Sequence, residues 1–156
     1  MFILTLSVIL LVVIDQITKL LTLSHIKPVG TMEIVKNILS FTYVENRGAA
    51  FGILQDARWV FIAVTVVIIA LFIAYTLKKK PESKLYYVAA SLITSGGIGN
   101  LIDRMFRGFV VDMIEVKFID YPVFNFADCC VVVGSILFCL YILIIDTKTE
   151  KKDGDN

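Results

Sequence analysis

Two aspartates, Asp112 and Asp128, are the residues whose type and setting point most directly to chemistry. Asp128 is the only charged residue in the apolar stretch 124–145. An ionised side chain costs at least about 2.5–3.5 kcal/mol at the centre of a bilayer and less near its surface. Two carboxylates that converge on a partly dry site do not both ionise easily, so they share a proton. The charged member can then take a proton from water while the protonated member polarises a carbonyl group. The pair predicts aspartic-type hydrolysis, with no metal and no cofactor.

Further polar residues are spaced so that they could surround these aspartates. Residues three or four apart share one face of a helix. Asp15 with Lys19, Asn100 with Arg104, and Asn125 with Asp128 have this spacing. The structural alternative for Asp128 is an ion pair with Arg104 or Lys19. One ion pair does not require two aspartates, two asparagines and two cations, so the cluster favours a functional site.

Other catalytic arrangements have weaker support. The single histidine, His25, has no G-x-S-x-G serine to serve and no Cys or His partner at the spacing of a zinc site. Ser95 forms a small-xxx-small spacing with Ser91 and Gly99, which favours close helix packing over a nucleophilic role. The cysteines at 129, 130 and 139 lie in one apolar run without a CxxC motif. We therefore expect neither a disulfide nor a metal site from them.

The elements that must position the polar residues are predicted from hydropathy. The chain of 156 residues is 58% hydrophobic and 19% charged, with a mean hydropathy of +0.83. Four apolar stretches could cross a hydrocarbon core of about 30 Å as helices, at about 2–23, 59–77, 85–102 and 124–145. The length predicts a single integral membrane domain, 1–156. The absence of a basic patch with interleaved aromatic residues argues against nucleic acid as a partner.

The distribution of lysines predicts the orientation. Lysines 78, 79, 80 and 84 crowd the short loop between the second and third spans, and positively charged short loops face the cytoplasm. Both termini are then cytoplasmic, and two outer loops remain at about 24–58 and 103–123. The first span has no basic segment before it and no small-residue cleavage site, so we interpret it as a retained helix. Nearly all of the polar cluster then lies near the outer face of the membrane.

The outer loops are expected to contain β-structure. Residues 38–44 and 109–114 are rich in β-branched and aromatic side chains, which is typical of strands. Residues 45–48 form a turn-like cluster. Asp112 lies on the second of the strand-like segments, between the ends of the third and fourth spans. The predicted fold class is a membrane all-α protein with a small β element, made of four transmembrane helices plus an extracytoplasmic β-bearing loop.

Five motifs resemble those of the bacterial lipoprotein signal peptidases, also called signal peptidase II. They are DQITK at 15–19, NRGAAFG at 46–52, GGIGNLIDR at 96–104, VVD at 110–112 and FNFAD at 124–128. Their order and spacing match the family over nearly the whole chain. A minor departure is Met113, where the family often has Phe. The presenilin-like G-x-G-D pattern is not matched, because Asn100 stands in place of its acid.

The resemblance implies a membrane aspartyl peptidase with Asp112 and Asp128 as its catalytic dyad. It implies that five residues line the substrate site: Asn46, Gly48, Asn100, Arg104 and Asn125. Asp15 and Lys19 would support the site from the first helix, and the outer strand-bearing loop would form a β-cradle on the membrane surface. The implied substrate is a prolipoprotein whose lipobox cysteine carries diacylglycerol, cleaved immediately before that cysteine. Membrane lipid is the other expected partner. Nothing in the sequence demands an oligomer, so we expect a monomer.

Two hypotheses from other classes compete with a peptidase. Membrane-buried ionisable residues also mark ion and proton pathways, so a small transporter is the main alternative. Against it, the span at 59–77 offers almost nothing polar to line a path, and no inverted repeat is visible. A structural assembly factor without chemistry would explain the helices but not the isolated acid Asp128.

Overall fold

The computed structural model describes residues 2–48 and 55–153, and side-chain surroundings over 4–48 and 55–144. Its helices and strands, in chain order, are α1 (Phe2–Leu21), continued by a π-helical turn (Thr22–Ile26), β1 (Thr31–Val35), β2 (Leu39–Asn46), α2 (Arg58–Lys79), α3 (Lys84–Phe106), β3 (Val110–Val116) and α4 (Phe126–Asp153). Four helices are long and apolar enough to cross a membrane. The predicted fold class is therefore confirmed, and the chain is a multi-pass membrane protein.

The third helix is longer than its predicted span. It ends at Phe106 rather than at 102, because the charged residue Asp103 in its last turn has partners there. The Asp103 carboxylate pairs with Lys19 of α1 at 3.2 Å and also with Arg107. Hydropathy alone cuts the span short at these charges, whereas the pairing lets the helix continue through them.

The fourth helix is shifted relative to its prediction. It begins at Phe126 rather than at 124 and continues to Asp153 rather than ending at 145. The start is later because Asn125 caps the helix from outside it. The end is later because residues 146–153 contain no glycine or proline to interrupt the backbone.

Two glycines bring α3 into close contact with its neighbours at the level of the polar cluster. A Cβ on Gly96 would overlap the backbone oxygen of Ala127 and lie 2.8 Å from Val131 Cγ2. A Cβ on Gly99 would overlap the Asp15 carboxylate and lie 3.3 Å from the Ala127 Cβ. The absence of side chains at these positions lets α1, α3 and the start of α4 meet at one point.

The opposite end of α3 is held by aromatic packing. Tyr86 is fully buried and packs with Tyr141 and Phe138 of α4. Its hydroxyl group lies 2.5 Å from the hydroxyl oxygen of Thr76 on α2. Since Tyr86 and Asn100 are about 21 Å apart along an ideal helix, this cluster stabilises the bundle without contacting the polar site.

The three strands form an antiparallel sheet in the order β1-β2-β3. The predicted strands at 38–44 and 109–114 are confirmed as β2 and β3, although both lie slightly further along the chain. The predicted turn at 45–48 is wrong in its first half, because Glu45 and Asn46 continue β2 opposite Val111 and Val110. The sequence does not indicate β1, whose five residues are all exposed, because only pairing with β2 makes this segment a strand.

Candidate active site

The start of α4 fixes Asp128 through two reciprocal hydrogen bonds with Asn125. Asn125 Oδ1 accepts a hydrogen bond of 2.9 Å from the backbone N–H of Asp128. Asp128 Oδ2 accepts one of 3.0 Å from the backbone N–H of Asn125. In this capping box, the residue before a helix and the third residue inside it satisfy each other's backbone groups. The Asp128 carboxylate is therefore held at the N-terminal end of α4, where the helix dipole favours negative charge.

Asp112 lies on β3 with only 1% of its surface exposed. Its Oδ2 accepts a hydrogen bond of 2.9 Å from Asn46 Nδ2, and its Oδ1 accepts one of 2.6 Å from Asn125 Nδ2. Burial, followed by the nearby charge of Asp128, raises the pKa of Asp112 to about 7, although the two amide donors act in the opposite direction. Asp112 is thus partly protonated at neutral pH.

Asn100 completes the connection between the two aspartates. Its Nδ2 donates a hydrogen bond of 2.8 Å to Asp128 Oδ1, and its Oδ1 accepts from Asn125 Nδ2 at 3.2 Å and from Lys19 Nζ at 2.9 Å. Asn125 therefore contacts both carboxylates. Among the described residues, neither Asp112 nor Asp128 forms an ion pair with a cation. The structural alternative of an Asp128 ion pair with Arg104 or Lys19 does not hold in this structure.

A cavity of about 350 Å³ adjoins this network. Asp128 lies on its wall, whereas the buried Asp112 is not among the lining residues. Four further residues on the wall were predicted to line a substrate site: Asn46, Gly48, Asn100 and Arg104. Asn125, the fifth such residue, is fully buried and contacts the carboxylates rather than the cavity. Apolar side chains of α2 and α4, including Phe61, Val131 and Val132, and the segment 121–124 before α4 also line the cavity.

Arg104 brings positive charge to the cavity without pairing with an aspartate. Its Nη2 donates a hydrogen bond of 3.2 Å to the backbone oxygen of Gly48, and its guanidinium carbon lies 4.7 Å from the centre of the Phe61 ring. The backbone N–H of Gly48 donates to Asn46 Oδ1 at 3.0 Å. The outer loop is thus tied to α3 beside the cavity. The rest of the predicted motif, 49–52, lies outside the described residues.

A second polar cluster lies beside the aspartate pair, on α1 and α3. Lys19 is fully buried and forms ion pairs with Asp15 at 2.9 Å and Asp103 at 3.2 Å. The expected pairing of Asp15 with Lys19 is present, but Asp103 was missing from the sequence-based site. The i, i+4 spacing of Asp103 and Arg107, which pair with each other, is the signal that could have revealed it.

Two charged residues to which the sequence assigns no role, Arg47 and Glu115, lie away from the cavity. Arg47 pairs with Glu45 at 3.2 Å and stands 5.7 Å from the centre of the Phe109 ring. Glu115 accepts a hydrogen bond of 2.5 Å from Thr42. None of these residues lines the cavity at Asp128. Their contacts lie within the sheet and at Phe109 beside it.

Two carboxylates, joined by asparagine amides, thus lie at a cavity on a scaffold of helices able to cross a membrane. A family model described as "Signal peptidase (SPase) II" matches residues 7–144. The chain belongs to the signal peptidase II family and is a peptidase. Family membership favours the peptidase hypothesis over the transporter.

Similar proteins agree with this assignment. A lipoprotein signal peptidase of Clostridium acetobutylicum is 45% identical over 146 residues, which cover 92% of this chain and 93% of the relative. One from Streptococcus pyogenes serotype M6 is 44% identical and covers 96% of this chain and 95% of the relative. A bacterial membrane enzyme structure solved in meso at 2.3 Å superposes with a TM-score of 0.88 at 31% identity, covering 95% of this chain and 92% of that one.

Proposed function

We propose that this protein is an aspartic endopeptidase that removes signal peptides from diacylglyceryl-modified prolipoproteins by cleaving just before the lipidated cysteine. Asp112 and Asp128 are the catalytic residues. The observation that carries the proposal is the position of Asn125, whose side chain and backbone contact both carboxylates. Removal of the signal peptide follows from membership of the family. The aspartic mechanism rests on the buried pair.

The protonation of the pair suits acid–base catalysis near neutral pH. The raised pKa of Asp112, about 7, favours one shared proton, and such a pair titrates as a unit. With the proton on Asp112, its O–H polarises the scissile carbonyl group once the substrate extends from the cavity to this buried carboxyl group. Asp128, on the cavity wall, takes a proton from water as the water oxygen attacks the carbonyl carbon. The C–N bond then breaks and the leaving amine receives a proton from the pair.

The charges around the cavity support the singly protonated state. The nearby cation Arg104 has no carboxylate partner among the described residues. One proton on the Asp112–Asp128 pair leaves one negative charge, which Arg104 balances. A balanced set of charges is less costly in a partly dry site than a net charge is. The state that is active in this mechanism is therefore also the electrostatically favoured one.

The cavity has two kinds of wall that suit a lipidated peptide. Asn46, Asn100 and Arg104 offer groups that can hydrogen-bond the peptide backbone, while Phe61 and Val131 offer an apolar surface. A diacylglyceryl cysteine next to a peptide bond needs both. The prolipoprotein and membrane lipid are therefore the proposed partners.

The proposed orientation places the site near the outer face of the cytoplasmic membrane. Lysines 78, 79, 80 and 84 flank the connection between α2 and α3, which the positive-inside rule assigns to the cytoplasm. Asp128 lies at the other end of the bundle, in the first turn of α4. Both termini are then cytoplasmic. The chain acts as one domain and as a monomer.

Cleavage of a diacylated prolipoprotein by purified protein tests the proposal. Asp112→Asn and Asp128→Asn should each abolish cleavage while the protein still inserts and purifies as a folded species. Glu115→Gln, which alters a carboxylate on the same strand away from the cavity, is the matched control and should cleave normally. A substrate without diacylglycerol should be cut poorly. Wild-type rates in either aspartate variant would exclude the two-carboxylate mechanism.

A further inference from the structure

We propose that Asp103 is a positioning residue for Asp112, acting through the backbone of β3 and joined by Lys19 to an equivalent contact at Asp128. The inference rests on the proposed catalytic pair and adds a residue that lies in the motif at 96–104 but was not among the predicted site residues. Asp103 is fully buried and does not line the cavity at Asp128. It therefore acts through its neighbours and not by touching substrate.

The edge of β3 needs acceptors for its backbone N–H groups. In the sheet, β3 pairs with β2 on one side only. The backbone N–H of Val111 donates a hydrogen bond of 3.0 Å to Asp103 Oδ2. Two residues later, the backbone N–H of Met113 donates to the oxygen of Phe124 at 3.0 Å. The residues on either side of Asp112 are therefore both held, one by the carboxylate of α3 and one by the segment before α4.

A parallel contact holds the residue before Asp128. The backbone N–H of Ala127 donates a hydrogen bond of 3.1 Å to Asp15 Oδ1. The residue before Asp112 and the residue before Asp128 thus each donate a backbone N–H to a buried carboxylate on a different element, α3 in one case and α1 in the other. The two buried carboxylates, Asp15 and Asp103, share the ammonium group of Lys19 at 2.9 Å and 3.2 Å.

Lys19 therefore connects the strand that carries Asp112 to the helix that carries Asp128. Its ammonium group also donates to Asn100 Oδ1 at 2.9 Å, and Asn100 binds Asp128. Small shifts of this connection move both carboxylates relative to each other. Since misplacing reacting groups by about 1 Å lowers rates by about a hundredfold, the connection bears on turnover.

The charge of this second cluster is balanced within itself. Asp15 and Asp103 carry two negative charges, and Lys19 and Arg107 carry two positive charges in contact with them. Gln16 adds an amide donor to Asp15 at 3.1 Å. An ionised Asp103 can accept at both oxygens, whereas an asparagine offers one acceptor. Asp103→Asn therefore leaves either the Val111 N–H or the cations without their acceptor.

The test compares steady-state cleavage of a diacylated prolipoprotein peptide by wild type, Asp103→Asn and the control Glu115→Gln. Rates are normalised to the folded protein measured by size-exclusion chromatography and thermal unfolding. We expect Asp103→Asn to lower kcat about ten- to a hundredfold and to keep KM within about threefold. The upper limb of the pH profile should move to higher pH, because displaced Asp112 loses the amide donors that favour its ionised form.

A purely structural role would lower the folded fraction but leave kcat per folded molecule and the pH limb unchanged, and that result would overturn the proposal. A rise in KM at constant kcat would overturn it as well, since it indicates substrate contact. Complete loss of turnover in folded Asp103→Asn would assign Asp103 to the catalytic chemistry instead. If the single variant does not fold, Asp103→Asn combined with Arg107→Gln keeps the charge balanced and carries the same expectations.

Failure of this inference is distinguishable from failure of the proposed function. Asp112→Asn and Asp128→Asn are measured in the same series. If both are inactive and Asp103→Asn is normal, only the positioning role is lost. If either aspartate variant retains wild-type turnover, the catalytic pair itself is wrong.

Discussion

Asn46→Ala is expected to move the alkaline limb of the activity profile to higher pH. Asn46 Nδ2 donates a hydrogen bond of 2.9 Å to Asp112 Oδ2, and this bond favours the ionised carboxylate. Its loss therefore raises the pKa of Asp112 above the value of about 7 that it has in the intact site. The shared proton that the mechanism needs is then retained to higher pH, and the active form persists further into the alkaline range.

The size of the shift follows from the strength of the bond. A hydrogen bond to a charged group contributes about 1.5–3 kcal/mol, and one pKa unit corresponds to about 1.4 kcal/mol. Complete loss would raise the pKa by about one to two units. Water that enters the space left by the side chain replaces part of the bond, so we expect a shift of about one unit.

The assay is kcat as a function of pH, measured with a fluorogenic diacylated peptide in detergent micelles of constant composition. Thr42→Val is the matched control, because Thr42 donates to the carboxylate of Glu115 at 2.5 Å on the same sheet but outside the aspartate pair. It should leave the limb where it is. An alkaline limb that stays in place in Asn46→Ala, or that moves to lower pH, would refute the assignment of this limb to Asp112.

Two further predictions concern stability. Gly99→Ala should lower the free energy of unfolding by about 1–3 kcal/mol, because its Cβ would overlap the Asp15 carboxylate and crowd Ala127. In the control Gly97→Ala, the new Cβ meets only side-chain atoms at 3.3 Å or more, so the loss of stability should be smaller. Equal melting temperatures for the two variants would contradict the packing argument. The raised pKa of Asp112 means that its stabilising contribution is complete below the unfolded-state pKa and is lost as the pH rises to about 7. Asp112→Asn should therefore show a smaller fall in melting temperature between pH 5 and pH 8 than wild type, and an unchanged fall would contradict it.

Local patterns made much of the fold predictable. The membrane spans follow from hydropathy, because a bilayer requires about 20 apolar residues for each helical crossing. The start of α4 was also predictable in kind, since Asn125 and Asp128 have the three-residue spacing of a capping box. The same is true of the Asp15–Lys19 pair on α1. Each of these features depends on residues within a single helix or at its start.

Two errors arise where distant segments meet. β1 contains Glu33 among exposed residues and becomes a strand only through its pairing with β2. The predicted α3 stopped before Asp103, because a charged residue next to an apolar stretch indicates the end of a membrane span unless the partner of that charge is known. That partner, Lys19, lies on another helix. Neither contact leaves a periodic trace in the sequence.

The membrane class, the number of spans and the isolation of Asp128 in an apolar stretch can be read from the sequence, because they depend on composition and local spacing. The burial of Asp112 follows from tertiary contacts. On its own segment it resembles an ordinary loop aspartate, and its environment comes from Asn46 and Asn125, which reach it from other parts of the chain. Burial beside Asp128 raises its pKa, and such proximity between distant residues exists only once the chain has folded.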